Sequence, residues 1–283
     1  MNLAIPFGLA AALFITGSLM ASSRSVRLIG NFPALAWVAL IGLVITLPWA
    51  IVTGIPANLG TEQVVLLALI GVTGLGGFLF SFAAFRFGKV GVVAPILATE
   101  GAVAAVLAAS FGEQLAIGAA VMLLVSVVGV IVAGIARDPF PIAHERPLAA
   151  IALAVGAAIS WGVGLYLIGR LGQELPIAWV VLPPRLIGVI CLTIPLALLG
   201  RLRLTRKAAP LVTLAALCEV SLNACIGLGS RSSIAITSVL AAQYAVLTPL
   251  AAWLIFRESL GRLQIVGIAL LVAGVTGLAV FSR

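Results

Sequence analysis

Apolar runs of about 20 residues, the length that crosses a bilayer as a helix, follow one another along almost the whole chain. Lipid offers no hydrogen-bond partners, so a spanning segment must satisfy its backbone internally. The runs are long and unbroken, whereas the strands of a membrane barrel are short and alternate in polarity, so the pattern predicts helices. Polar or Pro/Gly-rich interruptions separate the runs, the first of them at 22–31. The predicted spans are 3–22, 33–53, 63–85, 90–110, 115–136, 148–169, 177–200, 209–229, 233–255 and 261–281.

Composition excludes the other broad classes of protein. Charged residues make up only 8% of the 283 positions and hydrophobic residues 63%, whereas a soluble domain carries roughly 25% charged residues. The 16 Lys and Arg residues are spread too thinly to track a phosphate backbone, so we expect no nucleic-acid partner and a lipid bilayer as the surroundings. No basic region precedes the first apolar stretch, so we expect no cleaved signal peptide.

The basic residues instead indicate an orientation. Twelve of them follow odd-numbered spans, and three lie on the other face when the termini are included. Cytoplasmic loops carry an excess of Lys and Arg. The count therefore predicts a multi-pass protein of the cell (inner) membrane with odd-numbered loops in the cytoplasm and both termini outside.

The chain also contains an internal repeat with an offset of 145 residues. Phe111-Gly-Glu113-Gln-Leu115 matches Phe256-Arg-Glu258-Ser-Leu260, and Arg86 matches Arg231. Trp37 in PALAW roughly matches Trp179 in PIAW. Each half has five predicted spans, an odd number, so the two copies must enter the membrane in opposite orientations.

These features predict an all-α membrane protein of ten transmembrane helices in two inverted five-helix repeats, residues 1–138 and 146–283. Inverted repeats are an architecture of secondary transporters, which bind their substrate near the midplane between the copies. An old duplication in a membrane protein of another function is the alternative.

The segments FRESLGRLQIVGIALLVAGV (256–275), FGEQLAIGAAVMLLVSVVGV (111–130) and VAPILATEGAVAAVLAA (93–109) carry a family resemblance. The chain resembles the EamA branch of the drug/metabolite transporter superfamily over essentially its whole length, with amino-acid exporters of the YddG type as the nearest comparison. The resemblance implies ten helices, export or import of small metabolites, and a central cavity lined by both halves. Those exporters tend to carry aromatic residues where this chain has Ala94 to Ala98, which disfavours an aromatic amino acid as substrate.

Ionisable residues at membrane depth are costly and are functional candidates by default. Glu100 lies in the middle of span four, five residues after Pro95. A carboxyl group there can take up and release a proton, or can anchor a cation. The alternative is a structural hydrogen bond to a neighbouring helix.

Arg185 directly follows Pro183-Pro184, and we expect these prolines to interrupt span seven as in a cavity-lining segment. Its guanidinium needs a partner, either Glu100, Glu219 or a substrate carboxylate held by two hydrogen bonds. The alternative is that Arg185 extends towards the end of span seven and reaches the interface.

Glu219 lies midway along span eight, and Asn223 follows at i+4 on the same face. Together they are suited to an ammonium group, or to a polar clamp between helices. Weaker candidates for substrate binding or proton coupling are Thr99, Gln243, Tyr244, Trp161, Tyr166, Ser160 and Ser18.

Other features point to packing rather than to chemistry. Gly74-Leu-Gly-Gly77, at the repeat position of Glu219, predicts close contact between helices. We expect Cys191, Cys218 and Cys225 to be buried apolar residues and His144, the single histidine, to be a solvated loop residue. We therefore expect no metal site and no cofactor, and the chain lacks a P-loop motif.

Three functions remain open at this point. The first is a secondary transporter, most simply an exporter of small metabolites such as amino acids. The second is a flippase for lipids or lipid-linked sugars on the same fold. The third, an intramembrane enzyme, is disfavoured because no predicted span contains His or Asp, so we expect no enzymatic activity. Ten helices can enclose a cavity alone, so a monomer is sufficient, although the oligomeric state is open.

Overall fold

The computed structural model describes residues 3–87, 96–114, 116–134 and 146–247, with position 93 and isolated positions between 263 and 277. Within those residues the chain is helical and contains no strand. In chain order the helices are α1 (Ala4–Ile29), α2 (Asn31–Thr53), α3 (Thr61–Phe87), α4 (Glu100–Ser110), α5 (Ile117–Gly134), α6 (Pro147–Glu174), α7 (Ile177–Leu198), α8 (Ala209–Gly229) and α9 (Ile234–Ala241).

Six of these helices, α1 to α3 and α6 to α8, are long and apolar enough to cross a membrane, and α4, α5 and α9 belong to shorter apolar helices. Most of the predicted tenth span lies outside the described residues, as do Pro95 and the loop that holds His144. The described positions of that span are helical, and Gly274 and Gly277 pack against α5. The count of ten spans stays a prediction.

Helix α1 is longer than predicted. It continues to Ile29, through most of the polar segment 22–31 that is predicted as an interruption. The hydroxyls of Ser23 and Ser25 donate to the carbonyls of Met20 and Ser22, each at 2.9 Å, so these polar residues are compatible with the helix. The helix ends at Gly30, whose φ of +88° suits a residue without a Cβ.

The predicted interruption of span seven at Pro183-Pro184 is wrong. Both prolines lie inside a continuous helical segment, Ile177–Gly188, and the irregularity comes later as a π-helical segment at Val189–Thr193. A proline removes one backbone donor but has a helical φ, and the packing of α2 and α3 against this segment holds it helical. Arg185 therefore projects from a regular helix.

The two halves run in opposite directions. At the start of α1 the Leu3 N–H donates to Ser232 Oγ at 3.2 Å, whereas at the start of α6 the Arg146 N–H donates to Phe87 O at 2.9 Å. Because α1, α2 and α3 cross the bundle in turn, Phe87 lies at the end opposite Ser232. The first helices of the two halves therefore begin at opposite ends, as in an inverted repeat.

Two tryptophans display the same symmetry. Trp37 of α2 donates its indole N–H to Arg203 O at 3.1 Å, in the connection after α7. Trp179 of α7 donates to Gly54 O at 2.8 Å, in the connection after α2. Each half thus holds the end of the other through matching bonds, which agrees with the repeat alignment of these residues.

The fourth helix of each half is interrupted at a matching position. A turn at Ala98–Thr99 precedes α4, and a turn at Ala242–Gln243 follows α9. An offset of 145 places 98–99 at 243–244. Glu100, predicted in the middle of a span, is instead the first residue of α4. Discontinuous helices at membrane depth are tolerated where they are buried in protein or line a cavity.

Small residues bring α3 and α6 together, as the sequence predicts for Gly74–Gly77. A Cβ built on Gly76 would lie 3.2 Å from Ser160 Oγ, and one built on Gly77 would overlap the Trp161 indole. Glycine is required at 77 by this close approach, and α6 thereby presents Trp161 to the interior of the bundle.

Candidate functional site

A cavity of about 450 Å³ lies between the two halves and is lined by α1, α2, α3, α4, α6, α7 and α8 together with Tyr244. Exposed Ser23 and Asn31, near the α1–α2 connection, line its mouth. We call this end of the bundle the open end. The opposite end, which carries the α8–α9 turn at residues 230–233, is called the sealed end.

Arg185 is the buried cation of this cavity. Its side chain is only 5% exposed, and its Nη2 has no hydrogen-bond partner among the described residues. It packs against Gly42 of α2, where a Cβ would stand 3.0 Å from Arg185 Cγ. The guanidinium points into the cavity and does not extend to the interface, so the alternative of an interfacial arginine is wrong. A buried charge without direct partners is costly, and an anion in the cavity relieves that cost.

Glu219 of α8 links several of the predicted residues. Its Oε1 accepts a hydrogen bond from Ser18 Oγ of α1 at 2.9 Å. It also interacts electrostatically with both Arg185 and Glu100. Asn223, one turn along α8, is buried and lines the same cavity. The carboxylate thus lies near one cation and beside one amide.

Glu100 lies at the break before α4 and is 6% exposed. The Tyr244 hydroxyl interacts with its carboxyl group. Tyr244 itself follows the matching break after α9. Gly101 permits this approach, because a Cβ there would lie 2.6 Å from Ser238 O of α9. The two helix interruptions therefore meet at a carboxyl–phenol pair.

The charged residues break the symmetry of the repeat. The repeat position of Glu219 is Gly74, and that of Glu100 is Ala245. Arg185 packs against Gly42 of the neighbouring helix α2. Glu219 and Glu100 thus occupy positions where the other half has a small residue, and Arg185 lies against a small residue of the other half. These small residues leave room for the cavity.

An aromatic wall closes one side of the cavity. The Trp161 indole donates to Gly74 O at 3.3 Å and meets the Phe78 ring edge-on, with centroids 5.3 Å apart at 81°. Phe82, one turn along α3, also lines the cavity. Phe78 and Phe82 are not among the predicted site residues, although aromatic residues at i and i+4 on a span indicate an aromatic face.

Four of the weaker candidates lie outside the cavity lining. The Thr99 hydroxyl donates to Ile96 O at 2.7 Å, and the Ser160 hydroxyl to Thr73 O at 2.9 Å. Gln243 is fully buried, and its amide nitrogen donates to Val239 O at 3.1 Å. Tyr166 stacks on Phe111 at 5.4 Å, near the sealed end. Local backbone acceptors or packing partners hold these side chains away from the cavity.

The remaining predicted residues line the cavity together: Ser18, Glu100, Trp161, Arg185, Glu219, Asn223 and Tyr244. Their part in solute binding or proton coupling stays a prediction. The three cysteines do not line the cavity. Cys218 is buried and Cys225 partly buried, but Cys191 is exposed, so the expectation that all three are buried is wrong for Cys191. It lies in the π-helical segment, which turns it to the outer face of the bundle.

Known proteins match this chain over nearly its whole length, both by family model and by structure. The model of the EamA-like transporter family matches residues 2–135 and again residues 148–280. A solved structure titled only "Crystal structure of protein" superposes with a TM-score of 0.81 at 17% identity, covering 99% of this chain and 97% of its own, and this likeness concerns the fold. No curated protein matches the sequence.

Proposed function

Because the chain belongs to the EamA-like transporter family, of the drug/metabolite transporter superfamily, we propose that it is a secondary transporter of a small zwitterionic solute. It works by alternating access, in which the two halves rock about the cavity. Solutes of this class include amino acids with an apolar side chain. No chemical change of the solute is involved.

The observation that carries this proposal is the guanidinium of Arg185, buried in the cavity wall with Nη2 unpaired among the described residues. A planar guanidinium suits a carboxylate, which it binds through two parallel hydrogen bonds. A solute carboxylate supplies the missing partner and at the same time neutralises the buried charge.

The ammonium group of the zwitterionic solute fits the acidic side of the cavity. Glu219, oriented by Ser18, offers a carboxylate to an ammonium group, and the Asn223 amide adds an acceptor. Between the poles the cavity wall is mostly apolar, with Trp161 and Phe78 at one side. This arrangement favours an apolar solute body over a polar one.

The proposed direction of transport rests on the orientation that the basic residues indicate. Arg24, Arg27, Arg146 and the basic segment 201–207 lie at the open end, whereas Arg170 and Arg231 lie at the sealed end. By the positive-inside rule the open end faces the cytoplasm. The cavity is then open to the cytoplasm, where a solute to be exported would bind, and we propose that the protein acts as an exporter in the cell membrane.

Glu100 is the proposed coupling group. Its carboxyl group is buried beside Tyr244 at the meeting point of the two helix interruptions. Movement of the halves changes the surroundings of this group, so that a proton taken up in one state is released in the other. The proposed role distinguishes Glu100 from Arg185 and Glu219, which bind the solute.

Proteoliposomes test the proposal. Wild-type protein is expected to transport radiolabelled leucine. Other apolar zwitterions should compete with leucine, whereas an amine that lacks the carboxylate, or an acid that lacks the ammonium group, should not. Arg185→Ala removes charge-assisted hydrogen bonds worth about 1.5–3 kcal/mol, so KM should rise about 10- to 150-fold, with Arg185→Lys intermediate. Arg170→Ala is the matched control, because Arg170 lies outside the cavity lining with an ion pair to Glu62 at 3.7 Å.

Two results would reject the proposal. An Arg185→Ala variant with unchanged KM and selectivity would remove the carboxylate site. Scrambling of fluorescent lipids without uptake of any small solute would identify a flippase instead.

A further inference from the structure

Glu113 joins the two halves at the sealed end and belongs to the repeat motif of the sequence, yet the solute site does not use it. Its Oε1 accepts a hydrogen bond from Ser233 Oγ at 2.5 Å, and its Oε2 accepts one from Ile234 N at 3.1 Å. The Ala235 N–H lies 3.3 Å from Oε2 and 3.4 Å from Oε1. A carboxylate from the α4–α5 connection thus caps the first turn of α9.

This contact is favourable for a physical reason. The first N–H groups of a helix have no partner within the helix, and they carry a partial positive charge that attracts an anion. Ser233 already serves as the local cap, because its hydroxyl accepts from Ile236 N at 3.1 Å. Glu113 satisfies the remaining donors, although it is 121 residues away from Ile234.

Neighbouring contacts hold the α8–α9 turn against both halves. Arg231 Nε donates to Gly172 O at 3.0 Å, and Gln173 Nε2 donates to Ser230 O at 2.7 Å, which ties the turn to the end of α6. From the first half, Phe111 stacks on Tyr166 of α6. Glu113 is thus the acidic member of a set of contacts that closes this end.

The cavity stops short of these contacts. Leu171, Ile226 and Leu240 lie in the apolar core with almost no exposure, and none of them lines the cavity. A solute that leaves through the sealed end requires separation of the α4–α5 connection from the start of α9. The Glu113 bonds must break in that movement.

We propose that Glu113 and the start of α9 form the latch of the gate at the sealed end. The latch stabilises the state in which the cavity is reached from the open end, and its release populates the opposite state. This inference rests on the proposed function, since only a transporter needs both states. Capping interactions of this kind correspond to a shift of about 3- to 30-fold in an equilibrium.

The test measures distance rather than transport. In full-length protein with its three cysteines replaced by Ser or Ala, spin labels are attached at Q114C and S232C, two exposed positions on opposite sides of the latch. Double electron–electron resonance in nanodiscs then measures the distribution of distances between the two spin labels. E113Q keeps the shape but removes the charge, E113A removes the acceptors, and S233A removes one of the partners.

The control is E62Q, since Glu62 is an acid near the same end whose ion pair with Arg170 is largely exposed and contributes little. We expect E113A, and to a smaller degree E113Q, to increase the fraction of long distances about 3- to 30-fold over wild type and E62Q. A distribution in both Glu113 variants identical to that of E62Q would overturn the latch.

A lower melting temperature in E113Q without a second distance population would also overturn it, because Glu113 would then be a helix cap only. The distance measurement needs no solute. Failure of the wild-type protein to transport any solute into proteoliposomes would therefore reject the proposed function, whereas the distances alone decide the latch.

Discussion

A methyl group at Gly42 perturbs the proposed carboxylate site without changing any charge. Gly42 of α2 lies directly against the Arg185 side chain, and a Cβ built there would stand 3.0 Å from Arg185 Cγ and 3.4 Å from Nε. In Gly42→Ala, therefore, Arg185 keeps its guanidinium but must change its position. The variant separates the geometry of the site from its electrostatics.

The size of the effect follows from these distances. Ordinary contacts begin at 3.4 Å, so Cγ must retreat by about 0.4 Å, and the guanidinium, farther along the side chain, moves by at least as much. Charge-assisted hydrogen bonds are short, at about 2.7–2.9 Å, and such a shift weakens them. These hydrogen bonds contribute about 1.5–3 kcal/mol to solute binding, and we expect the shift to remove about 1–2 kcal/mol of it. This loss corresponds to an increase in KM of about 5- to 30-fold.

The assay is the KM for leucine in proteoliposomes, together with the melting temperature in detergent. Gly156→Ala is the control, because its Cβ would lie 3.7 Å from the Phe80 ring, an ordinary contact away from the cavity lining. We expect an increase in KM for Gly42→Ala alone. If KM for Gly42→Ala stays within twofold of the control, Arg185 does not position the carboxylate and the reasoning is refuted.

Three further predictions concern other residues of the site. Glu100→Gln cannot exchange a proton, so uptake should no longer respond to an imposed pH gradient; a liposome flux profile that follows pH as in wild type would remove Glu100 from coupling. Ser18→Ala removes the hydrogen bond that orients Glu219, and we expect KM to rise about fivefold, or about 1 kcal/mol, in the same flux assay, whereas no increase would make the bond incidental. Gly77→Ala places a methyl group within the Trp161 indole, which should destabilise the fold by about 1–3 kcal/mol; an unchanged melting temperature in detergent would contradict the packing.

The recognition of the site from sequence depended on the membrane environment. Charges are rare in spans because lipid makes them costly, so Glu100, Arg185 and Glu219 are conspicuous among apolar neighbours, and all three line the cavity. The same reasoning is weak for uncharged side chains. Thr99 and Gln243 are adjacent to Glu100 and Tyr244, yet they lie in the turns and their side chains bond backbone carbonyls, so only the latter pair faces the cavity.

The sequence by itself determined the helical class, the family and the duplication. A bilayer permits few backbone solutions, so hydropathy alone predicts helices, and an odd number of predicted spans per copy requires inversion. Tertiary structure decided which side chains meet. Ser18 and Glu219 are 201 residues apart, and Glu113 reaches a helix of the other half. Such contacts depend on how the helices rotate and cross, which packing across the whole bundle sets and which no single span encodes.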